Sequence, residues 1–387
     1  MRFQPGTFSQ LLAPLDRRAV KAIAARHRGD AYAKSFGSWG HLVVAIFAQL
    51  SGADSLRGLE TEWNAHTQHH YHLGTGKLAR STLADASRRR PAALFAEVFA
   101  GVAGLLDSGV RREGEALVRI IDSTPIPLGK LCDWVKSNGR IRGLKVHVVF
   151  DPANDCPRVL DITDANVNDA QIGRTVTIEP GAVYCFDKGY CHYGWWNAIA
   201  AADAVFVTRP KTSMRLETVA ERPLGDAAGD GFTVTADAEV RFASKGDSKL
   251  PIRLRRVSVE REDGSTIQLL TNDLTRPAVE IAAFYKGRWQ IELLFRWLKQ
   301  NLRIRRFFST HPNAIRLQIF AAMIAYVLIR LAIHANRVRH PVLRFTELLA
   351  CCLFERRHIA AIERPPPVNP ARTHPATPPG QLGFAYA

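Results

Sequence analysis

Residues 117–208 constrain the fold more than any other part of the chain, because short runs of branched apolar residues alternate there with helix-like segments. In chain order the predicted elements are strands at 117–121, 144–150 and 158–162, a helix from 168, a strand at 182–186, a helix at 193–202 and a strand at 204–208. The second strand alternates apolar residues with Lys145 and His147, so one of its faces is predicted to be largely polar. This order predicts an α/β sheet in which the first and fourth strands lie side by side.

Two aspartates follow the strands that are predicted to be neighbours. Asp122 comes directly after the first strand and Asp187 directly after the fourth. The element order is that of a ribonuclease H-like core, in which these strand ends meet. Each aspartate could instead be a turn residue whose side chain bonds to its own backbone. We therefore expect a site at this edge only if a third group joins them.

A third acid lies about a hundred residues further along, in a segment predicted to form one helix. Tyr285, Arg288, Glu292 and Lys299 fall within a narrow stripe of that helix when successive residues are placed about 100° apart. The neighbouring apolar face, predicted to pack on the core, consists of Phe284, Ile291, Leu294, Leu298 and Leu302. A solvated helix with mixed charges is the alternative, and the two upstream aspartates favour a functional stripe over it.

The charge of the chain indicates a polyanionic partner. The 387 residues contain 52 Lys and Arg against 36 Asp and Glu, which gives a net charge of +16. Residues 276–364 alone hold 16 Lys and Arg against 5 Asp and Glu, so most of the excess lies in the segment that carries Glu292. Nucleic acid is the predicted partner.

The remaining segments predict the domain organisation. Residues 1–112 are predicted to form a helical DNA-binding domain, with helices at 20–26, 41–49, 55–65 and 92–106 and a further helix that Ser81 caps. That further helix ends in Arg88, Arg89 and Arg90, a basic patch that is predicted to bind DNA; a solvated helix end is the alternative. The catalytic domain is predicted at 113–340 with a β-rich insertion at about 210–275, followed by a helical region at 341–364 and a Pro-rich disordered tail at 365–387.

The compartment is predicted from apolar runs and cysteines. Residues 1–12 contain no apolar stretch long enough for a secretory signal, and the apolar run at 319–329 is too short to span a bilayer, so it is predicted to be a buried helix. Six cysteines without framework spacing favour free thiols in a reducing bacterial cytoplasm.

The three acids have a chemistry that suits phosphodiester cleavage. Carboxylate oxygens are the preferred ligands of Mg²⁺, and two such ions about 4 Å apart activate the attacking oxygen and stabilise the leaving oxygen. Asp122, Asp187 and Glu292 are therefore the predicted catalytic and metal-binding residues. Arg288, Lys299 and Tyr285 are suited to holding phosphates, since each carries donors of the appropriate kind.

The motifs resemble those of a known family. Asp122 in Ile-Asp-Ser-Thr, Asp187 in Asp-Lys-Gly-Tyr and the Tyr285-Arg288-Glu292-Lys299 spacing are similar to the three motifs of the DDE transposases of the insertion-sequence-four family, over about residues 115–335. The resemblance implies cut-and-paste transposition with two Mg²⁺ or Mn²⁺ ions, through a DNA hairpin that is later reopened. It also implies double-stranded DNA partners, namely the terminal inverted repeats and the target, and a homodimer on DNA.

Two points stay open at the level of the sequence. Hairpin formation in this family uses an aromatic ring that holds a flipped base, and Trp195, Trp196 and Trp289 are candidates that could equally be packing residues. Another ribonuclease H-like nuclease, or an inactive DNA-binding derivative, would share part of the pattern.

Overall fold

The computed structural model describes residues 5–31, 33–106, 116–243, 252–301 and 307–362. The predicted Pro-rich tail at 365–387 and the predicted core residue Leu302 lie outside these ranges. Within them the chain forms a single mixed sheet with helices on both of its faces.

The first five strands follow the predicted order closely. They are β1 (Val118–Pro127), β2 (Gly143–Asp151), β3 (Cys156–Asp164), β4 (Val183–Phe186) and β5 (Val205–Thr208), with α8 (Asp169–Gly173) and α9 (Tyr193–Ala201) between the later ones. β1 pairs with β2 in antiparallel fashion and with β4 in parallel fashion. The predicted contact between the first and fourth strands is therefore confirmed.

The residues after β5 extend the same sheet. The strands are β6 (Leu216–Glu221), β7 (Ala228–Gly229), β8 (Phe232–Phe242), β9 (Leu254–Arg261) and β10 (Thr266–Thr271). The order across the sheet is β3-β2-β1-β4-β5-β10-β9-β8-β6, and β7 pairs with β8. The β-rich segment is thus joined to the core through the pairing of β10 with β5.

A buried pair of opposite charges lies inside this extension. Arg255 on β9 donates to both carboxylate oxygens of Asp237 on β8, at 2.7 and 2.6 Å. Its Nη1 also donates to the carbonyls of Asp273 and Arg276, in the turn that follows β10. The pair therefore fixes the turn from which the next helix starts.

Helices surround one long apolar helix. They are α1 (Thr7–Leu11), α2 (Arg17–Arg26), α3 (Ser38–Leu50), α4 (Leu56–Asn64), α5 (Thr67–Leu73), α6 (Arg80–Arg89), α7 (Ala92–Leu106), α10 (Ala278–Gly287), α11 (Trp289–Asn301), α12 (Pro312–Asn336) and α13 (Val342–Cys351). α12 is long and apolar enough to span a membrane, yet most of its apolar stretch is buried against other elements such as α3 and α7. The prediction of a buried helix at 319–329 is confirmed.

Two details of the helix prediction are wrong. Ser81 does not cap α6, because the helix begins at Arg80 and Ala79 occupies the cap position without a side-chain bond. The predicted single helix carrying Tyr285 and Glu292 is broken into α10 and α11 at Arg288. Gly287, a poor helix former, ends α10, and the amide of Arg288 bonds to the carbonyl of Tyr285 three residues back.

Candidate active site

Asp122 and Asp187 lie side by side on two neighbouring parallel segments, β1 and the end of β4. The β1–β4 register ends at Ile121 opposite Phe186, so Asp122, within β1, and Asp187, directly after β4, are the next residues along each chain segment. Both side chains are half-buried, and the negative charge of Asp187 acts on Asp122. The structure therefore brings these two acids together at one edge of the parallel strands.

Arg288 forms hydrogen bonds to both Asp122 and the third acid, Glu292. Its Nη1 donates to Oδ2 of Asp122 at 3.0 Å, and its Nη2 donates to Oε1 of Glu292 at 2.5 Å. The break between α10 and α11 places this guanidinium between β1 and the first turn of α11. Since Arg288 and Asp122 are only 16% and 18% exposed, water screens the contact weakly.

Asp122 is the carboxyl group whose proton affinity the site perturbs most clearly. Burial raises its pKa to about 6; the amide of Ser123 and the charge of Arg288 oppose this shift, and the charges of Glu292 and Asp187 add to it. A bound cation would favour the charged form of Asp122 for the same electrostatic reason that Arg288 does.

Tyr285 lies under Arg288 and inside the protein surface. The guanidinium lies 5.6 Å from the centre of the Tyr285 ring, and burial raises the pKa of the phenol to about 12. Tyr285 is only 5% exposed, which differs from the expected surface position of a phosphate-binding residue. Together with Phe232 and Leu269 of the extended sheet, it lines a cavity of about 540 Å³.

Trp289 is the one of the three candidate tryptophans that reaches this cavity. It is 50% exposed, and the guanidinium of Arg296 lies 5.7 Å from its ring centre. Trp195 and Trp196, by contrast, are buried on α9 against Phe186 and Phe206. Burial in that core excludes both from contact with a base.

Lys299 lies on α11 at a distance from the acids. It is half-buried in the last turn of α11, seven residues after Glu292, which corresponds to roughly 10 Å along the helix axis. The structure therefore brings Tyr285, Arg288 and Glu292 together and places Lys299 further along the same helix as Glu292.

A polar network lies behind Asp122 and involves Lys145 and His147, the residues of the predicted polar face of β2. Lys145 is paired with Asp169 at 3.0 Å, and Asp169 also accepts a bond of 2.9 Å from the hydroxyl of Ser123. His147 is buried, and burial lowers its pKa to about 4. Both Lys145 and His147 lie against Asp169 at the start of α8, so neither side chain is an isolated surface charge.

Sequence reasoning missed Asp169 and Ser123. Asp169 follows Asn168, the predicted start of a helix, and Ser123 follows Asp122, a predicted catalytic acid. The signal that could have identified them is the alternation along β2, since a buried Lys145 requires an acidic partner.

The predicted basic patch is smaller than expected. Arg88 and Arg89 are exposed, and Arg89 forms an ion pair with Asp85. Arg90 is only 5% exposed, and its guanidinium donates to the carbonyls of Gly29 and Phe36. The inclusion of Arg90 in a surface patch is therefore wrong, because its side chain fastens the segment between α2 and α3.

Comparison with known proteins decides the family. The model described as the transposase DDE domain matches residues 113–328, and one described as a domain of unknown function matches residues 4–76. A Sinorhizobium fredii (strain NBRC 101917 / NGR234) protein named as a transposase is 68% identical over 79% of this chain and 85% of its own length. The chain belongs to the DDE transposase family.

Other relatives connect this transposase to insertion sequences. A Geobacillus stearothermophilus protein named as an insertion sequence transposase is 30% identical over 55% of this chain and 56% of its own length. A Synechocystis sp. (strain ATCC 27184 / PCC 6803 / Kazusa) protein, also named for an insertion sequence, is 26% identical over 70% of this chain and 78% of its own. The predicted resemblance to insertion-sequence transposases is confirmed, and the chain is a transposase of that class, an enzyme that acts on DNA.

A solved structure confirms the fold class. The piggyBac transposase, in a synaptic complex with hairpin DNA, superimposes with a TM-score of 0.51 at 8% identity and covers 92% of this chain and 83% of the other. Together with the family match, this likeness shows a ribonuclease H-like DDE fold, as the strand order predicted.

DDE transposases depend on divalent metal ions, and the residues at this edge fit such an ion. Within the described ranges no group of three or more His, Cys, Asp or Glu side chains is already arranged around a common ion position. Arg288 instead supplies a positive charge to both Asp122 and Glu292. Asp122 and Glu292 thus offer hard carboxylate oxygens on either side of one cationic group, and such oxygens are the ligands that Mg²⁺ prefers.

Proposed function

We propose that this transposase moves its insertion sequence by cut-and-paste transposition, with Asp122, Asp187 and Glu292 holding two Mg²⁺ or Mn²⁺ ions. The observation that supports the proposal best is the bridging of Asp122 and Glu292 by Arg288, next to Asp187. The two ions, when bound, would activate the attacking oxygen and stabilise the leaving oxygen. Binding and positioning of the DNA are proposed to depend on side chains of the protein itself.

The proposed reaction consists of successive phosphoryl transfers. Water attacks the phosphodiester at the element end and releases a 3′ hydroxyl. That hydroxyl attacks the opposite strand to form a DNA hairpin, water reopens the hairpin, and the freed 3′ hydroxyl then attacks the target. Each step breaks one phosphorus–oxygen bond and forms another, so a single constellation of acids serves all of them.

The cationic residues beside the acids are proposed to hold the substrate. Arg288 exchanges its contacts with Asp122 and Glu292 for a phosphate of the arriving DNA, since its planar donors suit either partner. Lys299 contacts a phosphate further along the strand. Tyr285 supports the guanidinium of Arg288 from below and reaches a phosphate only after Arg288 has moved.

Trp289 is proposed as the ring that stacks on an unpaired base during hairpin formation. It is exposed, lies next to Arg288 in the chain, and lines a cavity with room for a base. A Trp289→Ala variant should nick the element end at a near-normal rate and form the DNA hairpin much more slowly. Equal slowing of both steps would assign Trp289 to general end binding, and normal rates for both would remove it from the site.

The other regions are assigned as follows. We propose that residues 1–112 bind the terminal inverted repeat through Arg88 and Arg89, that 113–340 form the catalytic domain with an insertion at about 210–275, and that 341–364 form a C-terminal helical region. The active form on DNA is proposed to be a homodimer, and the protein to act in the bacterial cytoplasm on the nucleoid.

Cleavage and joining assays on a labelled element end distinguish this function from the two alternatives, a nuclease and an inactive DNA-binding derivative. With Mg²⁺ the transposase should cleave the end and join its 3′ terminus to target DNA. Asp122→Asn, Asp187→Asn and Glu292→Gln should each abolish cleavage and leave end binding largely intact. Cleavage without joining would favour a ribonuclease H-like nuclease, and binding without either would favour an inactive derivative.

A further inference from the structure

The β1–β2 pair continues well past the catalytic edge. β1 runs five residues beyond Asp122, to Pro127, and stays paired with β2 as far as Gly143. At about 3.3 Å per residue, the loop that joins the two strands starts roughly 17 Å beyond Asp122. That distance corresponds to about five phosphate steps of one DNA strand.

The loop at 128–142 presents three exposed cations to the solvent. Lys130, Lys136 and Arg140 are exposed, and none of them forms an ion pair with a residue in the described part of the chain. Leu131 lies beside Lys130 and is 83% exposed. The loop is therefore a surface whose charges remain available to a partner outside the chain.

Contacts within the loop hold it in one shape. Cys132 and Val135 are buried, and the indole of Trp134 donates to the carbonyl of Thr310 at 2.8 Å. Asn138 accepts bonds from the amides of Arg140 and of the following residue, at 3.0 and 2.8 Å. The exposed cations are thus carried by a fixed backbone, which lowers the entropy cost of binding a regular partner.

The same loop is linked to the basic end of α6. Thr310, which accepts the bond from Trp134, is three residues before Asn313. The side-chain amide of Asn313 donates to the carbonyls of Ser87 and Arg90, at 2.9 and 2.6 Å. The segment 310–313 therefore connects the end of α6, with its exposed Arg88, to the loop at 128–142.

We infer that the loop at 128–142 binds the phosphate backbone of the element-end duplex, between the basic end of α6 and the catalytic acids. The inference rests on the proposed function, because it takes the DNA strand to be cut as lying at Asp122. Lys130, Lys136 and Arg140 contact successive phosphates, and they set the position of the cut without reading sequence.

The test compares two double variants that remove the same charge from opposite ends of the sheet. Lys136→Gln/Arg140→Gln alters the loop. Arg339→Gln/Arg344→Gln alters the connection after α12 and the first turn of α13. The helix α12 contacts Asp155 in the β2–β3 turn, at the other end of the sheet. The dissociation constant for a duplex carrying the terminal repeat is measured at several salt concentrations, in EDTA.

We expect the loop variant to bind the element end roughly tenfold or more weakly at 0.1 M salt, with the slope of log affinity against log salt reduced by about 2. The control variant should keep the wild-type slope. If the loop variant melts early, Lys130→Gln takes its place, with an expected slope change of about 1.

Two results would overturn the inference. One is an unchanged slope for the element end. The other is normal end binding with weakened capture of target DNA by the assembled complex, which would place the target rather than the element end on the loop. Because binding is measured without metal, failure of the proposed cleavage chemistry would show up separately, in the acid variants.

Discussion

Replacement of Arg288 by alanine isolates the role of its guanidinium between the acids. Arg288 makes two charge-assisted hydrogen bonds in a partly buried setting, to Asp122 and to Glu292. Such bonds contribute about 1.5–3 kcal/mol each, and the burial of the guanidinium offsets part of that gain. Arg288→Ala should therefore lower the free energy of unfolding of the metal-free protein by about 3 kcal/mol.

The same substitution should strengthen metal binding. In the wild type an entering ion displaces Arg288 and loses the stabilisation that its contacts provide, whereas in Arg288→Ala the acids have no internal cation. A difference of about 3 kcal/mol corresponds to an upper limit of roughly 100-fold in the dissociation constant for Mn²⁺. The assay is urea unfolding with and without Mn²⁺, combined with direct titration of Mn²⁺ without DNA.

A neighbouring cation provides the control for this experiment. Lys286 pairs at 2.8 Å with the fully exposed Asp230, on the surface of α10. Lys286→Ala should leave both the unfolding free energy and the Mn²⁺ affinity close to wild type. Unchanged or weaker Mn²⁺ binding by Arg288→Ala would refute the view that Arg288 and the ion compete for the same carboxylates.

Three further predictions concern buried charge. Burial raises the pKa of Asp122 to about 6, and a metal ion binds the ionised carboxylate. The affinity for Mn²⁺ should therefore be constant above about pH 7 and fall roughly tenfold per pH unit below 6. A Mn²⁺ affinity that stays constant down to pH 5 would contradict this. Burial lowers the pKa of His147 to about 4 from its usual 6.5, so as the pH falls the unfolded chain takes up a proton before the folded protein does. The wild type should therefore lose about 2 kcal/mol of stability between pH 7 and 5 through this group, and His147→Gln should lose less. An identical pH dependence of the two proteins in urea unfolding would exclude the assignment. Arg255→Leu leaves the carboxylate of Asp237 buried without its main partner and should lower the free energy of unfolding by about 3–5 kcal/mol. The double variant Asp237→Leu/Arg255→Leu should recover most of that loss. An Arg255→Leu variant within about 1 kcal/mol of wild type by urea unfolding would show the pair to be dispensable.

The strands and the positions of the acids were predictable because their signals are local. The runs before Asp122 and Asp187 are short and mostly apolar, as in strands buried on both faces, and only Arg119 interrupts the first of them. Once the first and fourth strands are taken as neighbours, the two acids must emerge together. Tyr285, Arg288 and Glu292 still lie together although the helix is broken at Arg288, because the break changes the rotation of the chain only locally.

The environment of the cations was not predictable, because burial depends on contacts between residues far apart in the chain. Arg88 and Arg90 look alike in the sequence, yet Arg90 meets the carbonyl of Gly29, 61 residues away. Lys145 looks like a surface residue until α8 places Asp169 over it. A charged residue identified by type alone therefore does not reveal whether it faces DNA or a partner inside the protein.

The meeting of the three carboxylates at one metal position can be measured directly with Fe²⁺ in place of Mg²⁺. Ascorbate and peroxide then generate radicals at the bound iron, which cut the polypeptide within a short distance, and mass spectrometry locates the cuts. We expect cuts near Asp122, Asp187 and Glu292 together, suppressed by excess Mg²⁺ and lost at all three places in Asp187→Asn. Cuts at only one of these residues, or cuts that survive the substitution, would contradict a shared metal site.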